Sequence, residues 1–193
     1  MATSARILAF AGSLRRDSFN KKLIRIAMAG AKKAGAEVTL IDLADFPLPI
    51  FDQDLETAQG MPENGAKLKQ LFIDHDGFMI ASPEYNSSVT GVLKNTIDWV
   101  SRSAPNEGSL VAFKGKAAAI MAASPGALGG LRSLVHLRSI LGNLGVYLLP
   151  DQLAVSKAAQ AFDANGGLTD PKQQASAESL GSLLTSVIVK LKS

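Results

Sequence analysis

Two hydroxyls, an amide and two guanidinium groups crowd into the segment Gly12-Ser13-Leu14-Arg15-Arg16-Asp17-Ser18-Phe19-Asn20. Ser13, Ser18 and Asn20 are short hydrogen-bond donors, and an arginine fork meets phosphate oxygens through two parallel bonds. Upstream, Arg6-Ile7-Leu8-Ala9-Phe10-Ala11 is an apolar run of strand length; downstream, Leu23, Ile24, Ile26, Ala27 and Ala31 recur at helical spacing. The donors therefore stand where a strand turns into a helix. Free N–H groups and the positive dipole end of that helix favour an anion there. Gly12 stands alone where a dinucleotide fingerprint needs three glycines, and no Gly-Lys-Ser/Thr follows as in a triphosphate loop. The residues fit a phosphate held by hydroxyls and arginine. The competing reading is a plain helix cap by Ser18 or Asp17, with the arginines in solvent.

Two further loops carry comparable chemistry. The apolar run Gly77–Ser82 leads into Pro83-Glu84-Tyr85-Asn86-Ser87-Ser88, which offers an aromatic face and an amide. The run Lys116–Ala123 leads into Ser124-Pro125-Gly126-Ala127-Leu128-Gly129-Gly130, where missing side chains let the backbone approach a flat ring. The remaining elements place these loops. Strands are predicted at Glu37–Asp42 and Val146–Leu149. Helices are predicted before the stop Lys32-Lys33-Ala34-Gly35, from Pro62 through Phe72, over Val89–Arg102 and Leu131–Leu141, and from Pro171 to Leu191. Asp45–Asp52, with Pro47 and Pro49, reads as an extended connection covering a rim. Strands alternating with helices imply an α/β, doubly wound, five-stranded parallel sheet with helices on both faces. In the order 2-1-3-4-5 the first, third and fourth strands are neighbours, so the three loops meet at one crevice on the carboxyl edge. A phosphate at one end and a planar heterocycle at the other describe FMN better than a dinucleotide or a triphosphate.

Composition narrows the remainder. The 193 residues suit one domain over 1–193. Apolar residues make up 47% without a run long enough to span a bilayer, and Met1–Arg6 leads straight into a strand, so a soluble cytoplasmic protein with no membrane partner is expected. Without cysteine there is no disulfide, thiolate or thiol nucleophile. His75 and His136, the only histidines, lack a ligand-like spacing, so no metal site is expected. A net charge of +3, dispersed along the chain, argues against nucleic acid as a partner. Lys94, Asp98 and Arg102 recur every four residues and suit ion pairing or a subunit contact; Asp98 and Trp99 read as structural or interface residues.

Gly12-Ser13-Leu14-Arg15 with Ser18 and Asn20, Ser82-Pro83-Glu84-Tyr85-Asn86, and Leu93-Lys94-Asn95-Thr96-Ile97-Asp98-Trp99 together resemble the NADPH-dependent FMN reductase family, in particular its chromate and quinone reductase branch. The resemblance implies a flavodoxin-like fold, non-covalent FMN, NADPH or NADH as co-substrate, and a homodimer or homotetramer. Carried over residue by residue, Ser13, Arg15, Ser18 and Asn20 hold the FMN phosphate. Pro83, Glu84, Tyr85 and Asn86 line the isoalloxazine, and Ser124 with Gly126 closes its other edge. Pro125 stands where some relatives have another residue and removes a backbone donor. The implied activity passes hydride from NAD(P)H through FMN to a small acceptor: a quinone, an azo compound, chromate or another metal oxyanion, or free flavin. Flavin N5 carries the hydride, so no catalytic side chain is required. The alternative is a flavodoxin-type electron carrier, against which the net positive charge argues, because carriers that dock by charge show an acidic face. A signalling receiver domain would need an aspartate where Ser82 stands.

Overall fold

The computed structural model describes residues 4–193. β1 (Arg6–Ala11), β3 (Gly77–Ala81) and β4 (Ala117–Ala123) are buried almost throughout, because their apolar residues run on without alternation and suit strands covered on both faces. β2 (Glu37–Leu40) joins the free edge of β1, and all pairings are parallel, giving the expected order β2-β1-β3-β4-β5. The fifth position differs from expectation. It is filled by two short pieces, β5 (Tyr147–Leu148) beside the start of β4 and β6 (Leu153–Val155) beside its end. Pro150 lies between them and has no N–H to give to a ladder.

α1 (Phe19–Lys33) and α7 (Pro171–Lys192) cover one face of the sheet; α3 (Glu63–Asp74), α4 (Gly91–Val100) and α5 (Leu131–Asn143) cover the other. The sequence reading missed α2 (Gln53–Gln59) and α6 (Ala158–Ala161). α2 buries no residue and so has no apolar period to read. α4 starts at Gly91 rather than Val89, because Thr90 is its cap and accepts from Leu93 N–H. In the Asp45–Asp52 connection, Asp45 ends a 3-10 turn that starts at Leu43, residues 46–52 form neither helix nor strand, and the segment is pinned to α4. Asn95 accepts from Phe51 N–H (2.8 Å) and donates to the Pro49 carbonyl (2.9 Å), which also receives the indole N–H of Trp99 (2.8 Å). Trp99 is thus a fully buried structural residue. Lys94 pairs with Asp98, whereas Arg102 turns to Glu56 of α2.

The α1·α7 contact brings backbone against backbone. A Cβ on Gly30 would lie 1.9 Å from the Glu178 carbonyl oxygen, and one on Gly181 would lie 2.0 Å from that of Ala27. Ser182 donates across the crossing to the Gly30 carbonyl (3.0 Å). α7 then reaches the amino edge of the sheet, where Lys192 donates to Asp76 (2.8 Å) and to the Ser4 carbonyl (3.1 Å). Gly181→Ala is expected to lower unfolding free energy by about 3 kcal/mol, the upper range for an overpacked contact, measured as a lower urea midpoint. A variant that unfolds with the wild type would mean that the helices stand further apart.

Candidate active site

The loops after β1, β3 and β4 reach the same rim, and specific bonds hold them together. Gly12 donates its N–H to Ala81 (2.9 Å) and accepts the Thr90 hydroxyl (2.7 Å), tying the first loop to β3 and α4. Ser18 caps α1, its Oγ accepting from Asn20 N–H (3.3 Å), and Ser13 Oγ accepts from Arg15 N–H (3.3 Å). Neither hydroxyl donates to any partner among the described residues, and Arg15 is exposed and unpaired by any carboxylate among them. Two O–H groups, one guanidinium and the N-terminus of a 15-residue helix therefore remain for an anion.

Ser13, Arg15, Ser18 and Asn20 of the first loop, Pro83, Glu84 and Tyr85 of the second and Ser124 of the third line one crevice. Phe19 and Pro125 line it as well. Asn86 and Gly126 belong to the same loops but are exposed beyond the lining. The enclosed volume is about 70 Å³, room for a phosphate and its first carbons but not for a drug-sized ligand. A larger cleft, of about 470 Å³, lies beside α3, but no strand-end loop of the three enters it. Half-exposed Tyr85 stands at the crevice mouth. Its backbone exchanges hydrogen bonds with Ser88 (3.0 and 3.1 Å) around Asn86 and Ser87, both at positive φ (51° and 66°), a tight two-residue hairpin. The donor set fits a phosphate monoester inside the cup and a flat group lying at its open lip.

The family model for NADPH-dependent FMN reductases matches residues 5–160. The chain belongs to that family. The NAD(P)H-dependent FMN reductase of Pseudomonas aeruginosa is 38% identical over 173 residues, 89% of each chain. The 2-hydroxy-1,4-benzoquinone reductase of a Burkholderia species is 37% identical, covering 84% of this chain and 85% of its own. Among solved structures, the flavoenzyme NAD(P)H:(acceptor) oxidoreductase FerB of Paracoccus denitrificans superposes with a TM-score of 0.80 at 29% identity, covering 96% of this chain and 98% of that one. The protein is an FMN-dependent NAD(P)H oxidoreductase of flavodoxin-like fold.

In this reductase two of the expected flavin contacts are already occupied. The Asn20 amide donates to the Ala123 carbonyl (2.8 Å) and accepts from Ala123 N–H (2.9 Å), so it locks α1 to the end of β4. The Glu84 carboxylate accepts from Arg132 N–H (3.0 Å) and Ser133 N–H (3.4 Å) and pairs with the Arg132 guanidinium, capping α5. That leaves its backbone, not its carboxylate, for a ligand. Sequence reasoning missed Thr90, readable as a hydroxyl residue before a helix, and Phe19, hidden as one more apolar residue of α1. His75 bonds the Leu71 carbonyl and the Thr39 hydroxyl, and His136 bonds Ser88.

Burial works against the charge on Glu84, but Arg132 and the two N–H groups outweigh it and hold the carboxyl below its ordinary value of 4.5. A carboxyl lowered in the folded state adds stability above that ordinary value and loses it as pH falls through the folded one. Glu84→Gln should therefore destabilise the protein at pH 7, with the deficit shrinking as pH is lowered below 4.5. Parallel melting curves of the two proteins from pH 7 to 3 check this; a constant gap would mean that the charge plays no part.

Proposed function

We propose that this chain reduces quinones, with azo compounds, chromate or other metal oxyanions and free flavin as further acceptors, at a flavin seated across the three loops. The observation that supports this reading is the size of the crevice: at about 70 Å³ it would take the phosphate end of a flavin and leave the ring at its lip, within reach of other flat molecules. The names of its Burkholderia and Pseudomonas relatives support quinone and flavin acceptors.

Bound FMN supplies the chemistry of accepting hydride from NAD(P)H and passing two electrons on. The side chains bind and orient. Ser13 and Ser18 donate O–H groups to the phosphate, Arg15 adds its fork, and the α1 N-terminus contributes backbone N–H groups. Arg15 rather than Arg16 is the assigned arginine, since Arg15 lines the crevice. Asn20 serves by holding the cup together. Pro83, Tyr85 and the Glu84 main chain would border the flavin ring, with Asn86, Ser124 and Gly126 as further contacts. Pro125, which also lines the crevice, has no N–H to donate and would offer the ring only van der Waals contact. Residues 1–193 work as one flavin-binding unit, as a homodimer or homotetramer in the cytoplasm, where reduced pyridine nucleotides are made. The acceptor leaves as the reduced quinone after gaining two electrons and two protons.

Purified protein with FMN should show flavin absorbance that bleaches when NADPH or NADH is added without oxygen and returns on adding 1,4-benzoquinone. Arg15→Ala should weaken FMN binding about tenfold or more, as loss of a charge-assisted contact does. Persistent colour in the presence of both nucleotides would end this reading.

A further inference from the structure

The first turn of α1 carries Lys21 and Lys22 and no acidic residue. That is the reverse of what a helix dipole favours, since cations belong at the other end. Asp42 answers Lys21 at 2.5 Å. Lys22 has no carboxylate partner among the described residues. Its ammonium lies instead 6.0 Å from the ring centroid of Phe19 and 5.9 Å from that of Phe162. The two rings are stacked, 5.8 Å apart and 14° from parallel. Phe19 lines the crevice, and Phe162, outside the lining, stacks on it.

Phe162 arrives on a segment that the sequence reading left without a role. The chain leaving β6 rises at the same rim as the other three loops and is fastened to the third. Ser124 N–H donates to the Val155 carbonyl (3.0 Å), and Ala158 N–H donates to that of Ser124 (3.1 Å). Lys157 turns the corner at φ 48°, a backbone angle disfavoured for a side-chain-bearing residue. Beyond α6 the chain closes on itself. Asp163 accepts from Asn165 N–H and Gly167 N–H (2.8 and 2.9 Å), and Thr169 N–H returns to the Ala161 carbonyl (2.9 Å). Residues 156–170 are thus a folded strap that sets Phe162 down on Phe19.

We propose that Phe162 and Lys22 position the phosphate end of the site: the strap ring and Phe19 hold the Lys22 ammonium at the lip of the cup, where it is a second cation beside Arg15. A lysine against its helix dipole is stabilised once a dianion sits at that helix end, and the aromatic pair limits the rotamers it must lose. This inference rests on the flavin reading above. It differs from a packing role in one respect: it concerns the phosphate and not the ring.

The test compares FMN with riboflavin, which has the same ring system and no phosphate, by fluorescence titration of the apoprotein. Phe162→Ala and Lys22→Met should each weaken FMN five- to tenfold, about 1 to 1.4 kcal/mol, and leave riboflavin within twofold. Phe162→Tyr, which keeps the stack, should bind FMN as the wild type does. Lys22→Met, a change of similar length at a half-buried position, carries the test even where Phe162→Ala fails to fold. Equal weakening of both ligands, or of neither, overturns the proposal while leaving the flavin site standing. A wild type that binds neither ligand overturns both.

Discussion

The site depends on a buried amide. Asn20 is 2% exposed and sits 103 residues from Ala123 in the chain, yet its side chain satisfies both the N–H and the carbonyl of that residue. β4 ends there, and the third loop begins on the next residue. The same side chain sits in the first turn of the helix whose N-terminus faces the crevice. One pair of hydrogen bonds therefore fixes the distance between the α1 N-terminus and the third loop. Losing the amide would leave two buried backbone groups unpaired, each costing about 1–3 kcal/mol. That is a large share of the stability of a domain this size.

The other loops are tied in the same manner, by a side chain of one element to the backbone of another. Thr90 caps α4 with one contact and holds the Gly12 carbonyl with its own hydroxyl. Glu84 leaves the second loop to cap α5. These bonds keep the cup in shape before any ligand arrives, so little ordering is needed on binding. Asn20 and Glu84, polar residues of the loop motifs, serve as struts, while the Ser13 and Ser18 hydroxyls donate to no partner among the described residues.

Apolar runs and loop chemistry made the sheet and its order legible in the sequence. β1, β3 and β4 are continuous apolar stretches of strand length, the pattern of a strand buried on both faces. β6 was not legible, because Leu153-Ala154-Val155 is too short to stand out and follows Pro150 and two polar residues. With β6 went the strap, and with the strap Phe162. The occupancy of Asn20 and Glu84 was invisible for a different reason. A side chain's partner 48 or 103 residues away is a tertiary fact, and local spacing cannot tell a ligand donor from a strut.

The close crossing at Gly30 and Gly181 sends α7 down the same face as α1, away from the crevice. It ends beside Ser4 and Asp76, at the amino edge of the strands. Ser193 and the start of β1 consequently share one side of the molecule, and the rim where the three loops meet occupies the other. A protein anchored to an electrode or a resin through Ser193 would stand with the three-loop rim turned outward, open to dissolved small molecules.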